Sequence, residues 1–418
     1  MVLPYTNRKS AFISRTTTVI LLLLILFLAA FAAARPLALL QGSDFPHFYC
    51  AARMLAEGDS HQLFNADLQR QYQARYAGRV GTLYSHPPFE AVLYLAVAWL
   101  PLRYAYFLWS LLTMTLLAAG AARLARDALP AWNWRLLFVA SLTFVPVLVC
   151  VLQGQDSLLL LFLVILAFTT MRRGSDFAAG CWLALGLFKF QLVLPLLLVL
   201  VLTKKRGSRI GLAKGFSLTA LALAGVSVAI SGWSVLTLYP NFLIHFKDQP
   251  FGGMAPQAMA NFRGLTYFLF RSDDSTWAVA AVSILSVASL VKALNVWKHA
   301  RLASDVSTAP ATQDKNEFDL AFANTALFAL LVSYHLNPHD LTLLLLPIAL
   351  LLHRMFAGTT RWPRAQKWII AGLLGILFLP PLHLWALRAN HYALVSLPLL
   401  ALFLTSAPSI ITRTSRTP

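Results

Sequence analysis

Charge is scarce in this chain. Only 12% of its 418 residues are Asp, Glu, Lys or Arg, about half the ~25% usual in soluble proteins. Acid is the scarcer sign, with 16 Asp and Glu against 34 Lys and Arg. Cysteine is nearly missing too. Cys50, Cys150 and Cys181 stand far apart with no CxxC pair, which excludes a disulfide framework or a cysteine zinc site. Apolar residues take the remaining space, at 58% of the chain with a mean hydropathy of +0.67. They recur in runs of about 20, the length that crosses a bilayer. The expected class is therefore an all-α polytopic membrane protein of the cell membrane, folded as a single domain over 1–418.

A formal charge of +18 in a soluble protein would suggest nucleic acid. In a membrane protein it is first a question of which side holds the cations. The N-terminus carries Arg8, Lys9 and Arg15 before an apolar run from about 17 to 39. "AFAAAR" has the look of a signal-peptide cleavage site, but the run exceeds a signal core of roughly 7–15 residues. A retained first span is expected, interrupted only by Arg35.

Further spans are expected near 103–123, 134–152, 155–171, 209–231, 276–298, 318–336, 339–357, 366–385 and 392–408. Residues 87–100 are too short to cross at ~1.5 Å per residue and are expected to be interfacial or re-entrant. Residues 177–203 are long, with Lys189 at their centre. A lysine at mid-bilayer is expensive, so this stretch is expected to turn back at Lys189, giving about twelve crossings. With the N-terminus inside, 23 of the 34 basic residues then fall in cytoplasmic segments, which accounts for the charge without nucleic acid. Two outer segments are large. Residues 41–102 should hold interfacial helices, with Phe45, Phe48, Ala52 and Leu55 on one face and a more polar helix after His61. Residues 232–275 read as an ordered outer loop, and 302–316 as a cytoplasmic linker.

On this layout the unusual polar residues gather on the outer face. Asp44, His47 and His86 belong to the first outer segment. Gln153, Gln155 and Asp156 sit in the turn "VLQGQDS", and Lys189 and Gln191 at the apex of the hairpin. Asn261 and Arg263 lie in "MANFRGL", and His335, His339 and Asp340 in "SYHLNPHD". Ionisable groups at membrane depth point to function, and five separate segments contribute. Each also has a structural explanation. Asp44 and Asp156 suit helix caps, as do Gln153 and Asn261, and Lys189 suits a snorkel. The histidines suit hydrogen-bonding partners. His335 and His339 have ligand-like i,i+4 spacing, but Pro338 interrupts any helix between them.

"SDFPHFYCAARMLAEG", "LYSHPPFEAVLYLAVAWLPLRYAYFLW", "QGQDSLLLLFLVILAF", "AAGCWLALGLFKFQLVLPLLLVLVLTKKRG" and "NPHDLTLLLLP" resemble, in order and spacing, glycosyltransferase family 87, membrane enzymes of the GT-C superfold. The likeness runs from about residue 15 to 350; the C-terminal spans resemble nothing in particular. It implies a polyprenyl-phosphate monosaccharide donor, most often mannose, and inverting transfer on the outer face of the membrane. It also implies Asp44 as the catalytic aspartate. The acceptor would be a hydroxyl of a glycolipid or glycan, and membrane lipids the surroundings. An aspartate suits the general base, and cations such as Lys189 and Arg263 would stabilise the leaving phosphate. No DxD flanks Asp44, and "QGQDS" supplies one acid, so neither a divalent metal nor another cofactor is expected. The rival reading is a transporter or flippase for a lipid-linked sugar. Transporters place binding groups near the midplane between repeats, and this chain shows neither feature.

Overall fold

A computed structural model describes residues 5–246, 255–305, 311–356 and 362–407. Helices dominate, and no strand occurs among the described residues. A helix satisfies its own backbone polar groups, the condition for crossing hydrocarbon. Five helices are long and apolar enough to cross a membrane: Thr17–Ala34, Leu102–Asp127, Arg206–Ser231, Thr276–Arg301 and Pro338–Phe356. Counting each bent pair as one span raises the number to eight. The chain is a helical membrane protein.

Two of the bent pairs break at proline. Trp134–Leu142 and Val145–Gln153 meet at 72°, and Arg364–Phe378 and Pro380–Arg388 at 53°. The junction residues Phe144 and Leu379 are extended, with Pro146 and Pro380 opening the second helices. Proline lacks the N–H that would continue the ladder and disfavours helical backbone just before it.

The third pair reverses. Lys204, just beyond Phe190–Thr203, forms an ion pair with Asp176, the first residue of Asp176–Leu185. The two far ends of the pair therefore lie together, and Lys189 sits at the opposite end in the 3-10 turn Leu187–Lys189. Close packing of Asp176–Leu185 on Arg206–Ser231 holds this arrangement. A Cβ on Gly180 would strike the Leu212 carbonyl, and one on Gly215 the Phe177 carbonyl.

The basic segments meet at the end of the molecule away from Lys189. Asp127 gathers Arg123, Arg126 and Arg173. Arg172 grips Asp319 with two nitrogens, at 2.8 and 3.2 Å, and Arg354 pairs with Glu317 at 2.8 Å. These pairs stitch the helix ends together.

Three details differ from the sequence expectations. The apolar face of Phe45–Ala56 turns into protein. Phe45, Phe48 and Ala52 are fully buried, with Phe48 stacked on Tyr94 at 5.0 Å and Phe45 edge-on to Tyr106 at 5.3 Å. Aromatic partners from 88–127 cover the face assigned to lipid. The expected linker 302–316 is mainly helical, because Thr276–Asp305 runs into it and Ala311–Val332 starts within it. Residues 306–310 lie outside the described residues. The loop 232–275 contains the helices Val235–Ile244 and Phe262–Phe270, while its residues 247–254 lie outside the described residues.

Candidate active site

Four backbone features converge at the end of the bundle opposite the basic pairs. Val145–Gln153 stops at Gly154, whose left-handed backbone (φ 68°) starts a tight turn into the helix Ser157–Arg172. Glycine is required twice over there, since a Cβ would also run into the Phe45 side chain. The turn projects Gln153, Gln155 and Asp156. The 3-10 turn brings in Lys189. Pro338–Leu344 is a seven-residue 3-10 segment, opened by a reciprocal Asn337–Asp340 capping box, and is unusually long for that conformation. The fourth feature is the start of Phe45–Ala56, directly after Asp44.

Asp44 occupies the N-cap position of that helix, but its side chain makes no capping bond. Its carboxylate instead accepts a hydrogen bond from Gln155 Nε2 at 2.8 Å, while its backbone N–H donates to Gln153 Oε1 at 3.1 Å. Burial raises the Asp44 pKa, against the lowering effects of the Gln155 hydrogen bond and the Lys189 charge. A carboxylate shifted in that direction is a better base. Asp156 likewise makes no capping bond. Lys189 Nζ lies 2.9 Å from Asp156 Oδ1 and 2.7 Å from Asp340 Oδ1, and donates to Gln155 Oε1 at 3.4 Å. Ser157 Oγ adds a bond to Asp340 at 2.8 Å. Lys189 is only 3% exposed. It is therefore no snorkel, and its charge is already shared between two aspartates.

Above this pair opens a cavity of about 420 Å³. Asp44, His47, His86, Gln153, Gln155, Lys189, Gln191, His335, Asn337, His339 and Asp340 supply its polar wall. Val149, Phe188, Phe190, Leu243 and Leu387 supply apolar surface. Of the residues singled out in the sequence, three do not line it. Asp156 sits beneath Lys189. Asn261 caps Phe262–Phe270 by accepting from Gly264 N–H at 2.9 Å, and donates to the Ser333 carbonyl at 2.6 Å. Arg263 lies over the ring of Tyr334, 4.3 Å from its centroid, and pairs with Asp273. Tyr334 itself lines the cavity.

Glu90 is the member that sequence reading missed. It is fully buried, and its Oε2 lies 2.7 Å from His86 Nδ1. Burial, followed by the neighbouring Asp156, pushes its pKa well above the ordinary carboxylate range. Burial holds His86 and His335 down to about 4 and His47 well below its usual value. Burial therefore favours the neutral rings at these positions. The available signal was that Glu90 is the one acid between residues 68 and 126, within an otherwise apolar run. His86, Glu90 and Asp156 bring one nitrogen and two oxygens within 4.8 Å of one another, a set able to ligate a divalent ion. The Lys189 ammonium already provides positive charge on that aspartate.

A cavity lined by both polar and apolar residues, with a half-buried carboxylate free of capping duty, has the layout of an enzyme site. The chain matches the model of glycosyltransferase family 87 over residues 84–333 and belongs to that family: it is a membrane glycosyltransferase. No curated protein matches it. The matched region contains Glu90, Asp156 and Lys189. Asp44 and the His335–Asp340 segment lie outside it.

Proposed function

We propose that this glycosyltransferase moves a sugar, with mannose the leading choice, from a polyprenyl-phosphate carrier to an acceptor hydroxyl on a glycolipid or glycan. The cavity faces the outer side of the cytoplasmic membrane, and the chain is one GT-C-type domain of about twelve crossings. Grouping Arg123, Arg172, Arg173, Lys204 and Arg354 at the opposite end supports that orientation through the cytoplasmic preference of basic residues.

The residues of the cavity wall suit this reaction. The acceptor oxygen attacks the anomeric carbon as its proton passes to Asp44. The bond from that carbon to the phosphate oxygen breaks, its electron pair leaves with the polyprenyl phosphate, and the configuration inverts. Gln155 holds the carboxylate in place through its Nε2, a case of orientation by a fixed hydrogen bond. Neutral donors from His335, Asn337, His339 and Gln191 face the space for the departing phosphate. Lys189, also in the cavity wall, offsets one of the two negative charges of Asp156 and Asp340 and so weakens their repulsion of a phosphate. The apolar residues Phe190, Val149 and Leu387 suit the carrier's chain. We read the reaction as metal-independent, with Lys189 supplying positive charge to Asp156 and Asp340.

The observation that carries this reading is the Asp44 carboxylate, free of its helix and held toward the cavity by Gln155. Purified protein in detergent, given a polyprenyl-phosphate sugar and a hydroxylated acceptor, should consume the donor with no sealed compartment present. Asp44→Asn keeps the shape and the Gln155 contact but cannot take a proton. General-base loss is worth roughly 10²–10⁴ in rate, so its turnover should fall at least about a hundredfold. Retention of more than a tenth of wild-type turnover would remove Asp44 from the base role. Donor movement only across sealed vesicles would identify a transporter.

A further inference from the structure

Arg35 is the one charged residue between Arg15 and Asp44, and the reaction above makes no use of it. It directly follows the span Thr17–Ala34. Eighteen residues at about 1.5 Å each reach roughly 27 Å, so Arg35 stands at the depth of the lipid phosphates. An arginine there normally extends its guanidinium toward water. Arg35 instead lays it over the Tyr106 ring, 4.9 Å from the centroid. Nε and Nη2 are buried with no protein acceptor. Around it the surface is apolar, with Phe31 67%, Leu37 47% and Leu39 61% exposed.

Buried N–H groups on a cation demand an acceptor, and most such groups in folded proteins have one. The acceptor that fits is anionic, offers paired oxygens to a planar fork, and is abundant at that depth. We propose that Arg35, stacked on Tyr106, forms a binding site for the phosphate of a membrane lipid, with the lipid's chains against Phe31, Leu37 and Leu39. Arg35 does not line the large cavity, so this site is separate from the one holding the reacting sugar. Behind Tyr106 lies Phe45, edge-on at 5.3 Å, and Phe45 adjoins Asp44. A lipid clamped at Arg35 thus braces the aspartate's loop from the membrane side.

The test uses the full chain, purified in detergent and stripped of lipid. Phosphatidylglycerol, a short polyprenyl phosphate and phosphate-free diacylglycerol are titrated separately. Thermal unfolding gives the stabilisation, and native mass spectrometry counts retained lipids. The wild type should gain stability and one retained phospholipid or polyprenyl phosphate. Diacylglycerol should do nothing. Arg35→Met should weaken that binding at least tenfold, and Arg35→Lys should recover part of it. Stabilisation by phosphatidylglycerol assigns the site to bulk lipid; stabilisation by polyprenyl phosphate alone assigns it to the carrier. Tyr106→Leu, which removes the platform, should also lose the lipid-dependent shift and serves if Arg35→Met does not fold. Equal binding of phosphate lipids to wild type and the folded variant overturns the proposal. So does an equal effect of diacylglycerol.

Discussion

Replacing Lys189 by methionine tests the electrostatic centre of the site. Methionine keeps most of the lysine's apolar length, so the packing change is small. The charge change is not. Asp156 and Asp340, 0% and 1% exposed, both lose the ammonium that lies 2.9 and 2.7 Å away. Removing one partner of a buried ion pair leaves an uncompensated charge, at a cost of roughly 3–5 kcal/mol. Two carboxylates share this loss, and neutralisation of one relieves part of it, so we take the lower figure, about 3 kcal/mol. Lys189→Met should therefore unfold roughly 3 °C below wild type in detergent. Asp340→Asn alone should cost less, because Lys189 keeps Asp156. The double variant Lys189→Met/Asp340→Asn buries one fewer unpaired charge and should recover more than half of the single variant's loss. Circular dichroism melts of the four proteins in one detergent measure the cycle. A Lys189→Met midpoint within a degree of wild type would refute this reasoning, as would a double variant less stable than Lys189→Met.

Gln155→Leu removes the hydrogen bond that favours ionised Asp44. Its loss raises the Asp44 pKa, so activity should disappear at a higher pH on acidification, by about one pH unit for a bond worth roughly 1.5 kcal/mol; an unmoved acid limb in the pH–rate profile counts against Asp44 as the base. Glu90 has a raised pKa, caused first by burial and then by Asp156, and is expected to be protonated near neutral pH. Glu90→Gln, a neutral isostere, should then retain turnover within about threefold, while Glu90→Ala loses the His86 partner and leaves a hole costing about 2 kcal/mol or more. Equal, large losses in both would show that Glu90 acts ionised. In a cysteine-free background, Ser85→Cys should react with an impermeant maleimide in intact cells or spheroplasts, and Ser208→Cys only after the membrane is opened. Ready labelling at Ser208 would invert the proposed orientation.

Membrane class, helical architecture and most of the spans are legible in the sequence because they depend on local quantities: apolar run length, charge and proline position. Lys189 announced a reversal by the same logic, since one ammonium inside a long apolar run is too costly to leave at mid-membrane. What Lys189 does there is not local. Its two aspartates lie 33 and 151 positions away, and only folding shows that they consume its charge. Asp44 and Asp156 are equivalent in sequence, each a good cap at a helix start. Tertiary contacts, Gln155 for one and Lys189 for the other, draw both side chains off the helix ends. Glu90 was hidden for the opposite reason. Its neighbours in sequence are apolar and its partners, His86 and Asp156, come together only when the turn at Gly154 packs against the segment 41–102. Composition reports which solvent a segment prefers. Which polar groups share one buried volume depends on distances across the chain, and those exist only in the folded molecule.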